Sequence, residues 1–236
     1  MRSPKRIRTW FLFLCALCLM APGGSSDTEP LKHSPDWPTG HYARIETDFG
    51  RIVARLLPQQ APQSVAHFAA AARGELAWID PTGEQKKFPY YDGIPIHNVR
   101  AGFLFEAGDW TGTGQGAPPL YVPQEGGGPI NFSQAGRLGM ARPQQHTSAL
   151  QFFATYASDP RLNRVFPCFG EIVEGREVVF QISQQKAYSN GKPIEEIKIR
   201  TIRIFEIGNP LPLPEPTQTP TGPRKMEFRK ELNQGL

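Results

Sequence analysis

The sequence predicts an all-β protein, a barrel or sandwich of short strands with two helices at its ends. Three observations lead there. Many short segments alternate apolar and polar residues and are bounded by Gly, Pro, Asn or Asp, as strands and turns are. Two stretches place apolar residues at helical spacing. These two do not alternate with the strands in the βαβ order that builds a parallel sheet.

The elements follow in chain order. Residues 1–26 open with Arg2, Lys5, Arg6 and Arg8, run through apolar positions from Trp10 to Ala21 and end in small residues, the layout of a secretory signal peptide. That apolar run is short for a bilayer span, so export without stable membrane insertion is expected, to the periplasm or beyond the cell. A retained signal anchored in the inner membrane is the alternative. Residues 27–40 are rich in Pro and polar side chains and read as a linker, and the folded domain is expected over 41–208.

ARIETDFGRIVARLL alternates Ile45 and Thr47, then Ile52, Ala54 and Leu56, about a DFG turn, which predicts a β-hairpin. In APQSVAHFAAAARGE, Val65, Phe68, Ala69 and Ala72 share one helical face, with Pro62 suited to the first turn and Gly74 to the position past the end. Residues 75–93 read as a loop. IHNVRAGFLFEAGD then predicts a strand, although His97, Asn98 and Arg100 interrupt its apolar run. TGTGQGAPPLYVPQEGGGPI is too rich in Gly and Pro for regular structure. RLGMAR, LQFFATYA, FPCFGEIV and KIRTIRIFEI suggest further strands, and Val178, Val179 and Ile182 line one face of a second helix near 175–186. The Pro-rich tail 209–236 is expected to be extended and unpacked.

Composition narrows the function classes. A chain of 236 residues suits one domain with extensions. Four of its 26 Lys and Arg, and none of its 22 Asp and Glu, lie in the predicted signal, so the remainder carries 22 bases against 22 acids. No electrostatic case for nucleic acid remains. Cys168 alone would survive processing, which excludes an internal disulfide and leaves a small buried hydrophobe as its simplest role. GTGQG lacks the Lys-Ser/Thr of a phosphate loop, no G-x-S-x-G elbow surrounds Ser133 or Ser148, and the five histidines avoid metal-ligand spacing.

One set of segments does carry a function. HNVRAGFLFEAGDWTGTGQG, GRLGMARPQQHTSALQFFATY and RLNRVFPCFGEIVEG occur in that order after VARLLPQQAPQSVAHFAAAARG and YYDG. From about His41 to Ile207 the chain resembles the cyclophilin family of peptidyl-prolyl isomerases. The resemblance implies a closed eight-stranded antiparallel β-barrel capped by the two helices. It implies cis-trans isomerisation of Xaa-Pro bonds in unfolded or exported proteins, by a monomer that needs no cofactor or metal.

The family's proline pocket falls on Phe103, Met140, Phe153 and Leu162, with Phe166 where the family usually has His or Tyr. Gln151 matches a glutamine that supports the substrate backbone, and Ala141 and Arg142 match the segment whose backbone pairs with the peptide. Phe152 is read as core, because its neighbour Phe153 points to the opposite face. The catalytic arginine position is held by Asn98. Glu106 replaces a glutamine, and Arg161 replaces a rim aromatic. Arg100, two residues from Asn98 on the same strand face, is the alternative cation, although a surface or Glu106-paired arginine is also open. Reduced isomerase activity is therefore expected. Two alternatives stand beside it, a non-catalytic proline-binding module or holdase, and a Pro-rich tail that docks a partner.

Overall fold

The computed structural model describes residues 36–217, except 81, 83, 118, 119 and 143–145. The predicted signal, most of the linker and the tail from residue 218 onward lie outside the described residues.

The predicted hairpin is formed by β1 (Gly40–Thr47) and β2 (Gly50–Leu56), paired from Tyr42↔Arg55 to Thr47↔Gly50. The turn closes because the Thr47 hydroxyl donates to the Gly50 carbonyl (2.8 Å) and accepts from the Phe49 N–H (3.1 Å). Helix α1 (Pro62–Arg73) has the predicted bounds. Ala61 gives it no side-chain cap, so Glu125 does this from across the chain. Its carboxylate accepts from the N–H groups of Gln63 (2.7 Å) and Ser64 (2.8 Å) and from the Ser64 hydroxyl (2.6 Å). Gly74 ends the helix at φ 73°, and a Cβ there would lie 2.7 Å from the Phe88 backbone.

The expected loop 75–93 contains a small pair, β3 (Trp78–Ile79) with β4 (Gln85–Lys86). Then come β5 (Ile96–Arg100), β6 (Leu104–Ala107), β7 (Arg137–Met140), β8 (Phe152–Thr155), β9 (Cys168–Glu174), α2 (Arg176–Ser183) and β10 (Ile199–Ile207). Helix α2 buries Val178, Val179 and Ile182 as predicted, but stops before residue 184.

Eight strands form one antiparallel sheet in the order β10-β1-β2-β9-β7-β8-β6-β5. Its interior holds Phe68 of α1 against the rings of Tyr91, Phe152 and Phe169, with centroids 5.0–5.3 Å apart. The closed barrel implied by the resemblance is corrected to a half-barrel. The edge strands β5 and β10 do not pair along their lengths; they meet at their starts, where the bridge Pro95↔Lys198 is flanked by hydrogen bonds from the Ile96 N–H to Ile197 (2.8 Å) and from the Ile199 N–H to Ile94 (2.9 Å). Further along β5, the Val99 N–H donates to Gly191 (2.8 Å), so a hairpin spanning 187–193 occupies the edge that β10 would need.

The tail also departs from expectation. Residues 209–217 are extended but held. The Leu211 carbonyl accepts from His41 Nε2 (2.8 Å), the Thr217 carbonyl accepts from His67 Nε2 (3.0 Å), and the Thr217 N–H donates to Gln63 Oε1 (2.9 Å). Leu213 packs on the core. Alternate prolines remove N–H donors but leave carbonyls, and both buried histidines use those carbonyls.

Candidate functional site

On the outer face of β5, β6, β7 and β8 lies a cleft of about 560 Å³. Its floor belongs to a second apolar cluster, separate from the interior core, which includes Leu104 and Phe153 with Phe103, Leu162 and Phe166 packed against them. Phe153 stands edge-on to Phe166 (5.3 Å) and stacks on Phe132 (5.4 Å). Gly139, directly opposite Phe153, leaves room for it, because a Cβ at residue 139 would collide with that ring.

The same register corrects Met140. It pairs with Phe152, and since paired residues share a face, both point into the core and are fully buried. Met140 therefore does not line the cleft. Leu104, which the sequence reading missed, does. The signal was there: Leu104 lies two residues before Glu106 on one strand, so both face the same way. Phe103 escapes this parity because it precedes β6.

Asn98, Arg100, Phe103, Glu106, Ala141, Arg142, Gln151, Phe153, Leu162 and Phe166 all line the cleft, joined by His97, Asn190 and Lys192. A β-bulge between Ile96 and Asn98 sends Ile96 and Val99 inward and leaves His97, Asn98 and Arg100 facing the cleft. That bulge accounts for the polar interruption in an otherwise buried strand.

The Asn98 position is electrostatically closed. Asn98 pairs with Glu106 directly across the strands, and a Cβ on Gly191 would strike its Oδ1. His97 Nε2 lies 3.7 Å from the same carboxylate. Burial alone would raise the Glu106 carboxyl, but hydrogen bonds from His97 and Asn98 and the positive charge of Arg100 hold it below the usual range. Arg100 itself is exposed and forms no ion pair within 4.0 Å among the described residues. Arg142 donates to the Val165 carbonyl at 3.0 Å. Arg161 grips Asp159 through Nη2 (2.7 Å) and Nε (2.9 Å) with its side chain 90% exposed, and it takes no part in the cleft lining.

Gln151 is buried and donates through Nε2 to the Gly114 carbonyl (3.2 Å), which fastens the loop forming one cleft wall. Asp109 organises that loop. Burial would raise its carboxyl, but N–H groups of Gly116 and Thr111 and the hydroxyls of Thr111 and Thr113 bring it below the usual range. Ala141 lines the cleft with its N–H donating to the Gln151 carbonyl and its own carbonyl accepting from the Ser148 N–H, both at 2.9 Å. Among the described residues, no three His, Cys, Asp or Glu side chains converge to hold a metal.

A family model described as "Cyclophilin type peptidyl-prolyl cis-trans isomerase/CLD" matches residues 42–204. The chain is 34% identical over 167 residues to peptidyl-prolyl cis-trans isomerase B of Streptomyces anulatus, which covers 69% of this chain and 95% of that protein. It is 34% identical over 170 residues to peptidyl-prolyl cis-trans isomerase A of Mycobacterium tuberculosis, with 69% and 91% covered. A solved cyclophilin-type isomerase of Cryptosporidium parvum, determined in the presence of the dipeptide Ala-Pro, superposes with a TM-score of 0.59 at 30% identity, covering 70% of this chain and 98% of that one. With an eight-stranded half-barrel, two helices and an apolar cleft on the sheet's outer face, the chain belongs to the cyclophilin-type peptidyl-prolyl cis-trans isomerase family.

Proposed function

We propose that the protein binds Xaa-Pro segments of exported proteins in this cleft and isomerises them slowly. The observation that carries the reading is the apolar floor of Phe103, Leu104, Phe153, Leu162 and Phe166 beside a rim rich in hydrogen-bonding groups. The relative determined with Ala-Pro supports a proline peptide as occupant. Export rests on the basic head and apolar run of residues 1–26.

Rotation about a peptide bond faces a barrier of about 18–20 kcal/mol and breaks no covalent bond. Catalysis therefore requires a grip on the proline ring, donors for the flanking backbone, and positive charge near the prolyl nitrogen to localise its lone pair. The floor supplies the grip, and Gln151 holds the adjoining wall. The third requirement is met poorly, since Asn98 offers only a neutral amide and stands directly across from the Glu106 carboxylate. Arg100 is a candidate for the charge, because it lines the cleft on the strand that carries Asn98 and forms no ion pair among the described residues.

The neutral Asn98 opposite Glu106 also favours a second reading, a proline-binding module without turnover. A cis-to-trans assay on a short Xaa-Pro peptide separates the two. Slow turnover by the wild type, reduced at least tenfold in Arg100→Ala, is expected of an isomerase with a relocated donor. Peptide binding with no turnover in either protein would leave the binding module.

A further inference from the structure

Past Phe166 the cleft is followed by a second cavity of about 280 Å³, and Phe166 lines both. One wall is the turn 163–166 and the other is the glycine run 126–128. Gln124 ties the walls together, donating through Nε2 to the carbonyls of Arg164 (3.4 Å) and Val165 (3.3 Å).

Arg164 stands on the first wall at φ 62°, the only non-glycine residue with positive φ among those described. Side-chain-bearing residues resist this conformation, and glycine accepts it freely. An arginine kept there, at the edge of a binding cleft, calls for a use of its side chain. Arg164 is exposed, its guanidinium makes no hydrogen bond or ion pair among the described residues, and it is the only Lys, Arg, Asp or Glu lining the cavity. Behind it the Cys168 thiol stays neutral, because burial pushes it up to about 12. The opposite wall is open backbone, since a Cβ at Gly126 or Gly127 would meet nothing within 4 Å.

We propose that this cavity is a subsite for a carboxylate side chain, Asp or Glu, close to the proline of the bound peptide, and that Arg164 is its specificity-determining residue. The proposal rests on the reading of the cleft as a site for Xaa-Pro peptides. A guanidinium presents a planar fork of donors that matches a carboxylate, and an amide side chain of the same shape lacks the charge. Because Arg164 is exposed, the preference is modest and weakens with salt.

The test is a fluorescence titration of the protein with labelled Ala-Pro peptides, made in pairs that carry Glu or Gln at each flanking position in turn. At one position the Glu peptide is expected to bind about two- to fivefold more tightly than its Gln twin at low salt. Salt of about 0.5 M should shrink that ratio. In Arg164→Gly, whose backbone accepts this φ without strain, the ratio falls to about one, and Arg164→Lys keeps part of it. Equal binding of every Glu and Gln pair, or a Glu preference that survives Arg164→Gly, overturns the subsite. If no proline peptide binds at all, the reading of the cleft fails, and the subsite fails with it.

Discussion

At the scale of single residues, the decisive contact is the cross-strand pair Asn98↔Glu106. Restoring a guanidinium with Asn98→Arg would place it beside a carboxylate that its neighbours already hold ionised. The new arginine would pair with Glu106 in preference to the prolyl nitrogen, so the single substitution is expected to raise kcat/KM by less than about tenfold. Asn98→Arg with Glu106→Gln should raise it by about a hundredfold, the usual worth of one preorganised donor. Glu106→Gln alone adds no cation and should change little. This non-additivity in a peptide isomerisation assay is the signature of coupling between the two positions. Equal rates for the single and double variants would show that Glu106 does not compete. Asn98 and Glu106 were legible in the sequence as departures from the family's residues. Their pairing with each other was not, because it depends on the register of β5 against β6. Met140 and Leu104 exchanged places for a similar reason. A methionine beside a family motif looks like pocket lining until Met140↔Phe152 fixes which way it points.

At the scale of elements, local signals were reliable where the chain decides its own geometry. Pro62 and Gly74 bracket α1 at the predicted bounds, and the DFG turn closes the first hairpin. What eluded the sequence was long-range support. The cap of α1 comes from Glu125, about sixty residues downstream, and the β5 bulge appears only when β6 is laid beside it. Glu125→Ala leaves the first N–H groups of the helix unsatisfied and removes a charge that suits its positive end. A loss of about 1–2 kcal/mol is expected, read as a fall in Tm of roughly 2–8 °C. The loop 109–116 depends on Asp109 in a comparable way. Its carboxyl sits lower in the folded state than in the unfolded chain, so its contribution is complete above the unfolded pKa, about 3.9, and fades as pH falls through the folded value. Urea midpoints measured from about pH 6 down to pH 2 should therefore drop more steeply for the wild type than for Asp109→Asn. Parallel acid limbs would remove Asp109 from that role.

At the scale of the whole molecule, the half-barrel and the tail strap belong together. The sheet does not close on itself along β5 and β10, so other segments cover what a closed barrel would seal. The hairpin 187–193 lies on β5, and residues 209–217 run from the end of β10 back along α1. A Pro-rich composition reads as unpacked because it offers few donors and no helical or strand period. It hides the chance that buried side chains will seek its carbonyls, as His41 (2% exposed) and His67 (3%) do. Removing residues 209–236 strips both histidines of those partners and uncovers the core surface beneath Leu213. Two hydrogen bonds at about 1 kcal/mol each and part of a leucine side chain amount to roughly 3 kcal/mol. A Tm about 5–12 °C below that of the full chain is expected. Removing only residues 218–236 leaves every one of these contacts in place and should leave Tm within about 1 °C. If the two truncations melt together near the full-length value, the strap is a passenger. If the shorter deletion is as damaging as the longer one, the stabilising contacts lie beyond Thr217 and not along α1.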